Sequence, residues 1–292
     1  LEASNEAAHT YLTHFSKTSL EVLNSYKVTA LLVFIQGDAA RIEACAKAIA
    51  NAAAKPLSVS QSALLAPLPS PARNIICVGK NYRAHAKEFG QSGFDAGAQG
   101  GDEIPEYPIL FSKMPSSVTE PFADISLSAD PLGETDYEGE LGVIIGTGGR
   151  NISAGEAMDH VFGYTVLNDV TARGLQKRHK QWLLGKSPDG FCPMGPGILH
   201  ASAVQDLGAL RLETHVNGAL RQSAPIADLI FDIPCLIETL SRSITLEPGD
   251  IIATGTPEGV GIGHTPPVFL KPGDRVRVSI DAIGAIESRF TA

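Results

Sequence analysis

Short apolar runs separated by glycine and proline are the feature of this chain that most limits its fold. They lie at residues 74–78, 109–111, 141–145, 161–167 and 251–253. Short apolar runs bounded by such residues are typical of β-strands. The chain has 29 glycines and 19 prolines among 292 residues, and they cluster at 89–105 and 255–267, where they indicate long loops. We therefore expect an α+β fold beyond residue 70, rich in strands and with few helices.

The first 70 residues have a different pattern. The β-branched apolar run at 28–35 predicts a strand, and residues 39–54 carry apolar side chains at helical spacing, which predicts a helix. Four prolines between positions 56 and 71 predict a linker, because proline is excluded from helix interiors. We therefore expect two domains, a small α/β domain over residues 1–70 and a larger domain over residues 71–292.

Composition excludes several classes of protein. The net charge of −9 and the pI of about 5.4 disfavour nucleic-acid binding. No apolar run reaches the ~20 residues that a membrane-spanning helix needs, so we expect no membrane contact. The four cysteines are far apart and form no C-x-x-C pair, which disfavours a disulfide framework and a thiolate zinc site. Residues 1–25 lack the pattern of a signal peptide, and we expect a cytoplasmic location.

Three acidic residues stand beside apolar runs that predict buried strands. Glu138 and Glu140 both precede the run at 141–145. Because residues two apart in a strand share a face, their side chains are expected to lie on one face, roughly 6–7 Å apart. Asp169 ends the run at 161–167. A divalent cation, Mg²⁺ or Mn²⁺, would relieve the repulsion between buried carboxylates. Two alternatives stay open: an exposed sheet edge for the glutamates, and a helix N-cap at Asp169 for a segment beginning at Val170.

His85 and Glu88 follow a predicted strand and a glycine turn. Three residues apart on a helix, they share a face and can form a hydrogen bond, which is how a general base is prepared near neutral pH. The segment 91–103 contains four glycines and is expected to act as a mobile lid over a substrate. An exposed surface pair and a disordered loop are the alternatives.

Two further segments are candidates for anion binding. Lys186 lies between apolar residues and a Gly/Pro turn, where a lysine can stabilise the charge of an enolate; a solvated lysine is the alternative. The turn-rich segment 254–261, TGTPEGVG, has backbone amides and hydroxyls that could hold a carboxylate. By itself this second signal is weak, since such loops are common in β-rich proteins.

Taken in order, these segments resemble the fumarylacetoacetate hydrolase superfamily. The resemblance extends from about Asn74 to the C-terminus and is carried by seven motifs: NIICVGKNYRAHAKE, YPILFSKMPSSV, DYEGELGVIIG, HVFGYTVLNDVTARGLQ, GKSPDGFCPMGP, VNGALRQS and LEPGDIIATGTPEGVG. The runs RGLQKRHKQWLLGKS and GHTPPVFLKPGD look most like the bacterial YisK-type, three-carboxylate branch. The resemblance implies a catalytic domain built as a mixed β-roll, a smaller appended N-terminal domain and a homodimer.

The resemblance also implies a role for each candidate residue. The implied metal ligands are Glu138, Glu140 and Asp169, and the implied catalytic residues are His85, Glu88 and Lys186. The implied substrate contacts are Arg173, Gln176 and Thr256. Eukaryotic fumarylacetoacetate enzymes have a fourth acidic ligand where this chain has Val78 and a tyrosine where it has Lys80. Fumarylacetoacetate itself is therefore not the expected substrate.

These roles imply a Mg²⁺- or Mn²⁺-dependent enzyme whose partner is a small 2-oxo acid. The expected reaction is cleavage of a C–C bond through an enolate stabilised by the cation, either hydrolysis of an acylpyruvate or fumarylpyruvate or decarboxylation of oxaloacetate. An isomerase or tautomerase that uses the same enolate is the alternative within the same class. A catalytically silent metal- or ligand-binding paralogue is the alternative of another class.

Overall fold

The structure is a computed structural model that describes residues 64–94 and 104–292. The strand expected over 28–35, the helix expected over 39–54 and most of the loop at 91–103 lie outside the described residues. The small domain expected over residues 1–70 and the lid therefore stay predictions.

Strands dominate the described part of the chain. In chain order they are β1 (Ile75–Gly79), β2 (Ile109–Lys113), β3 (Val118–Thr119), β4 (Asp124–Ser126), β5 (Thr135–Asp136), β6 (Gly139–Ile145), β7 (Val161–Asn168), β8 (Thr171–Ala172), β9 (Cys192–His200), β10 (Arg211–Val216), β11 (Ala219–Pro225), β12 (Ile251–Ala253), β13 (Arg275–Ile280) and β14 (Gly284–Thr291). All five apolar runs overlap a strand, namely β1, β2, β6, β7 and β12, which confirms the strand predictions.

The helices of the described residues are short. They are α1 (Arg83–Gln91), α2 (Arg173–His179), α3 (Leu183–Lys186) and α4 (Ile233–Ser243), joined with the strands by several 3₁₀ turns. Strands with few helices confirm the α+β class. None of the helices in the described ranges is long and apolar enough to cross a membrane.

The strands form two larger sheets and a small one. The seven-stranded sheet has the order β2-β1-β12-β6-β7-β9-β3, and the five-stranded sheet has the order β11-β10-β13-β14-β4. Strands β5 and β8 pair antiparallel beside them. In the larger sheet β12 lies between β1, to which it is parallel, and β6, to which it is antiparallel. A strand from late in the chain therefore joins two strands from early in it.

The central strands β6 and β7 are buried along their whole length. Side chains of β6 alternate between two apolar clusters: Leu141 and Val143 pack in the larger cluster, whereas Ile144 packs in a second one. Because every second residue shares a face, Glu140 points to the side of Ile144. Full burial of one such aliphatic side chain contributes about 1.5–3 kcal/mol to stability. This packing therefore holds β6 in place, and with it the side chain of Glu140.

Candidate active site

Three carboxylates converge where β6 and β7 meet. Glu138 directly precedes β6 and Asp169 directly follows β7, and the register pairs Gly139 with Asn168 between them. The backbone N–H of Asp169 donates to the carbonyl oxygen of Glu138 at 2.8 Å. One oxygen from each of Glu138, Glu140 and Asp169 lies within 4.8 Å of the others, and all three residues are buried.

The structure excludes both alternative interpretations of these acids, the exposed sheet edge and the helix N-cap. Burial excludes an exposed sheet edge for Glu138 and Glu140. Asp169 does not cap a helix, because α2 begins at Arg173 with Ala172 as its N-cap. The segment after Asp169 forms strand β8 instead, so the N-cap interpretation is wrong.

Two buried lysines bind carboxylates of this cluster, and both contact Asp169. Lys186 Nζ, at the end of α3, lies 2.7 Å from Glu138 Oε2 and 2.7 Å from Asp169 Oδ2. Lys113 Nζ, at the end of β2, lies 2.7 Å from Asp169 Oδ1 and donates to the carbonyl oxygens of Val170 and Lys186. Burial of Lys186 excludes the solvated-lysine alternative.

Arg173 links the acids through its whole guanidinium group. Its Nε and Nη2 atoms each lie 2.9 Å from Asp136 Oδ2, and Nη2 also lies 2.7 Å from Glu138 Oε1. Its Nη1 donates to Gln176 Oε1 at 3.3 Å. Arg173 is fully buried, so it positions the residues around the pocket as well as bordering it.

The charges of this buried cluster do not cancel. Its acids are Asp136, Glu138, Glu140 and Asp169, and its cations are Lys113, Arg173 and Lys186. Although burial opposes ionisation, Lys186 and Arg173 lower the pKa of Glu138 to about 2. Burial, reinforced by the charges of Asp169 and Glu138, raises the pKa of Glu140 well above its ordinary value. Ionisation of Glu140 would therefore give this cluster one negative charge more than its three cations neutralise.

His85 and Glu88 lie together on α1, as the helical spacing predicts. His85 Nδ1 is 3.1 Å from Glu88 Oε2, and His85 is buried, which excludes an exposed surface pair. The other oxygen of Glu88 accepts a hydrogen bond from the backbone N–H of Gly259 at 3.0 Å. Glu88 is thus fixed on both sides, and Nε2 is the ring nitrogen of His85 that Glu88 leaves available.

The turn-rich segment after β12 does bind carboxylates, but they are the protein's own. We call residues 255–263 the glycine-rich loop. Its backbone N–H groups donate to three acidic side chains: Gly255 to Glu140 at 2.9 Å, Gly259 to Glu88 at 3.0 Å, and Gly261 and Ile262 to Asp136 at 2.7 and 3.1 Å. The sequence predicted backbone amides that could hold a carboxylate, and the structure shows these amides bonded to carboxylates of the protein itself.

A pocket opens between the carboxylates and α1. Its polar lining residues are Lys80, His85, Glu138, Glu140, Arg173, Gln176, Lys186 and Thr256. Phe89, Phe111 and Trp182 form an aromatic wall, with the Trp182 ring centre 5.8 Å from that of Phe89 and 5.0 Å from that of Phe111. Every candidate residue of the sequence analysis except Glu88 and Asp169 borders the pocket, and these two bind residues that do.

Two side chains offer hydrogen-bond donors to the pocket. Gln176 is buried, and within the described ranges its Nε2 has no hydrogen-bond partner. Thr256 Oγ1 accepts a hydrogen bond from Gln222 Nε2 at 2.8 Å, which leaves the hydroxyl proton of Thr256 to be donated. A ligand oxygen would satisfy both groups.

Three further residues belong to the site although the sequence did not predict them, namely Lys113, Asp136 and Gln222. Each is fully buried, and Gln222 joins the start of β6 to the glycine-rich loop through Gly139 N and Thr256 Oγ1. All three lie inside quoted motifs, yet only tertiary contacts assign them a partner. A charged residue at the end of an apolar strand was the available signal for Lys113.

The donor set fits a hard divalent cation. Three carboxylate oxygens within 4.8 Å of one another, on a base of buried strands, match the oxygen ligands that Mg²⁺ and Mn²⁺ prefer, and the described residues around them provide no cysteine or histidine ligand. A divalent cation would also neutralise the charge left on Glu140. The acids are therefore suited to holding such an ion while the pocket admits a ligand.

The chain belongs to the fumarylacetoacetate hydrolase family. Residues 74–291 match the family described as "Fumarylacetoacetate (FAA) hydrolase C-terminal". The strands and the cluster of three carboxylates agree with this match, and the protein is therefore a member of this enzyme superfamily.

Among individual relatives, the oxaloacetate tautomerase YisK of Bacillus subtilis (strain 168) is 52% identical over 233 residues, which are 80% of this chain and 74% of that protein. A solved fumarylacetoacetate hydrolase (EaFAH) from psychrophilic Exiguobacterium antarcticum is 49% identical, with a TM-score of 0.69 over 79% of this chain and 78% of that one. The maleylpyruvate hydrolase from Sphingobium sp. SYK-6, solved in complex with manganese(II) ion and pyruvate, is 36% identical, with a TM-score of 0.70 over 89% and 85%.

Proposed function

We propose that this protein is a divalent-metal-dependent enzyme that interconverts the keto and enol forms of oxaloacetate or a closely related 2-oxo acid. The observation that carries the proposal is the pocket itself, which is lined by Glu138 and Glu140 and by His85 of the His85–Glu88 pair. Lys186 also lines it and bridges Glu138 and Asp169. The likeness to a relative named an oxaloacetate tautomerase supports the same substrate.

Glu138, Glu140 and Asp169 would hold Mg²⁺ or Mn²⁺. When bound, such an ion supplies a Lewis acid that stabilises negative charge on the 2-oxo oxygen of a substrate. With its four acids ionised and such an ion bound, the buried cluster would carry one excess positive charge, which favours an anionic substrate in the pocket. The amide of Gln176 and the hydroxyl of Thr256 donate to its carboxylate oxygens.

Proton transfer falls to the His85–Glu88 pair. Because Glu88 binds Nδ1, the imidazole takes a proton from C3 of the substrate at Nε2 and returns it to the oxygen of C2. In the reverse direction the same nitrogen returns the proton to C3. The Lys186 ammonium group stabilises the enolate charge that exists between the two transfers. The aromatic wall of Phe89, Phe111 and Trp182 limits access of water to this step.

Cleavage of a C–C bond is the second candidate, and the likeness to a maleylpyruvate hydrolase favours it. In that reaction His85 would remove a proton from water that attacks the C4 carbonyl of an acylpyruvate, and the enolate of pyruvate would leave. Decarboxylation of oxaloacetate needs no water, because carbon dioxide leaves directly from C4.

A panel of substrates tests the proposal. The full chain is freed of metal with a chelator and assayed with added Mn²⁺ or Mg²⁺ on oxaloacetate, acetylpyruvate and fumarylpyruvate, following enol absorbance, pyruvate and carbon dioxide. We expect metal-dependent ketonisation of oxaloacetate as the fastest reaction. Tight Mn²⁺ binding without turnover of any substrate would instead establish a silent paralogue.

Glu138→Ala should abolish turnover because it removes one ligand and leaves Lys186 and Arg173 without their shared acid. The matched control is Asp130→Asn, which alters a buried acid whose hydrogen bonds are local: it accepts from Leu132 N, Glu134 N and Thr135 Oγ1. Full metal-dependent activity in the folded Glu138→Ala variant would remove the proposed site.

His85→Ala separates the reactions. We expect ketonisation of oxaloacetate and hydrolysis of acetylpyruvate to fall by about 10²–10⁴-fold, since both need a general base. Decarboxylation of oxaloacetate should fall less, because it needs no proton transfer in the bond-breaking step. Steady-state rates of the three reactions, measured on one preparation, decide this, and equal losses in all three would contradict the role given to His85.

A further inference from the structure

Asp136 is the most heavily bonded side chain near the site, although it does not border the pocket. It is fully buried and accepts hydrogen bonds from the backbone N–H groups of Tyr137 (2.8 Å), Gly261 (2.7 Å) and Ile262 (3.1 Å), and from Nε of Arg173 (2.9 Å). Arg173 Nη2 also lies 2.9 Å from Oδ2. A carboxylate has about four lone-pair sites, so the four hydrogen bonds saturate it. It is therefore not available to bind a metal or a substrate.

The donors around Asp136 lead in two directions. Arg173 continues to Glu138 Oε1 at 2.7 Å and to Gln176 Oε1 at 3.3 Å, which reaches the carboxylate cluster. Gly261 and Ile262 belong to the glycine-rich loop, whose Gly259 N–H holds Glu88 at 3.0 Å. Asp136 is thus bonded on one side to the residue that contacts Glu138 and on the other side to the loop that holds Glu88.

The glycine-rich loop is fitted closely between these acids. A Cβ atom added at Gly263 would collide with Glu88 Oε1, and one added at Gly261 would come within 2.6 Å of Asp136 Oδ1. Tyr137 Oη donates to the carbonyl oxygen of Gly259 at 2.8 Å, which adds a second tie from the same strand segment. A shift of the loop at Asp136 is therefore passed directly to Glu88.

We propose that Asp136 is a positioning residue that sets the distance between the metal-binding carboxylates and the His85–Glu88 pair. It acts through Arg173 on one side and through the glycine-rich loop on the other. The inference rests on the proposed function, since it assumes that a substrate held at the carboxylates exchanges a proton with His85. Such a transfer is sensitive to misplacement of about 1 Å, which can cost 10²-fold in rate.

Asp136→Asn tests the proposal because it keeps the shape and removes acceptors. The four hydrogen-bond partners of Asp136 are all donors, so the new amide NH₂ group must face at least one N–H group and push it away. In the full chain we expect kcat for ketonisation of oxaloacetate to fall at least 30-fold. We also expect the Kd of Mn²⁺, measured by calorimetry without substrate, to rise at least tenfold.

The matched control is again Asp130→Asn, a buried acid with three hydrogen bonds in the same segment and no bond to the loop or to Arg173. It should lose stability to a comparable degree while its folded fraction keeps native kcat and native Mn²⁺ affinity. Equal losses of kcat and Mn²⁺ affinity in the two variants would overturn the positioning role.

A double-mutant cycle with Glu88→Gln supplies a second readout. If Asp136 acts on kcat through the loop and Glu88, the double variant should lose little more than Glu88→Gln alone, within about threefold. Losses that multiply would show that the two residues act independently and would overturn the proposal. Glu88→Gln alone should leave the Kd of Mn²⁺ unchanged.

Tyr137→Phe provides a milder variant of the loop side. It removes only the hydrogen bond to Gly259, so we expect kcat to fall about three- to tenfold while Mn²⁺ affinity stays unchanged. In a double variant with Glu88→Gln, the two losses of kcat should not multiply. If Asp136→Asn does not fold, this variant decides the matter, and a native kcat in Tyr137→Phe overturns the inference. Failure of the native protein to bind Mn²⁺ would overturn the proposed function as well. If the native protein turns over oxaloacetate and the variants have the same kcat, only this inference is overturned.

Discussion

At the scale of single residues, Glu140 determines what the site can hold. Its Oε2 accepts a hydrogen bond from Gly255 N–H at 2.9 Å, whereas Glu138 and Asp169 are each in contact with lysine or arginine side chains. Burial and the two neighbouring acids raise the pKa of Glu140. An ionised Glu140 is therefore costly in the metal-free protein, and a bound cation removes that cost.

Glu140→Gln should stabilise the metal-free protein and remove its response to metal. Because the folded-state pKa of Glu140 is raised, its contribution to stability is present below the unfolded-state pKa and is lost as the pH rises through the folded-state pKa. Glutamine has no such loss, so with a chelator present the variant should melt a few degrees above the native protein, more so at pH 8 than at pH 6.

Saturating Mn²⁺ provides the control for Glu140→Gln. The native protein should gain about 2.7 kcal/mol at a hundred times its Kd, and the variant should gain far less. Thermal unfolding with and without Mn²⁺ measures both effects. A variant that is less stable than the native protein without metal, or that gains equally from Mn²⁺, would show that Glu140 is not the uncompensated ligand.

At the scale of elements, local patterns predict what each segment forms but not what it touches. The short apolar runs predict β1, β2, β6, β7 and β12, and the three-residue spacing of His85 and Glu88 predicts their contact on α1. The bond between Lys113 and Asp169 joins the ends of β2 and β7, which lie far apart in sequence. Such a contact depends on sheet order, which no local pattern in the chain encodes.

Helix α4 offers a test of stability away from the site. Its buried residues Ile233, Leu236, Ile237 and Leu240 recur at helical spacing, and the side chain of Asp232 caps its N-terminus by accepting from Cys235 N at 2.9 Å. Asp232→Ala should cost about 1 kcal/mol, the usual value of an N-cap. Because α4 contributes no residue to the pocket, kcat should be unchanged. Chemical unfolding and turnover measured together check this, and a loss of kcat would mean that α4 supports the site.

At the scale of the whole molecule, the order of the sequence motifs identified the family, whereas only the three-dimensional structure revealed the contacts between the residues of the site. The sequence motifs contain every charged and polar side chain of the site, including Asp136 and Gln222, and their resemblance to the family carried the implied roles. What they could not reveal is that the glycine-rich loop binds Glu88, Asp136 and Glu140 at once. That pattern arises from three elements that meet only in the folded chain.

The association state is a further proposal at this scale. The resemblance implies a homodimer, and within the described residues β2 ends its sheet with Leu110 exposed, next to the exposed Met114. Apolar edges of this kind are commonly covered by a partner. Light scattering should therefore give twice the chain mass of 30.7 kDa. A mass equal to one chain at micromolar concentration would contradict the dimer.

The central place of β12 has a consequence for biosynthesis. This strand, residues 251–253, separates β1 from β6 in the sheet, and the loop that follows it supplies the amides that hold three acids of the site. During translation, β1 and β6 leave the ribosome long before the strand that must be inserted between them. The nascent polypeptide consequently has no means of completing this sheet or capturing an ion in the native way until residues 251–263 have been synthesised.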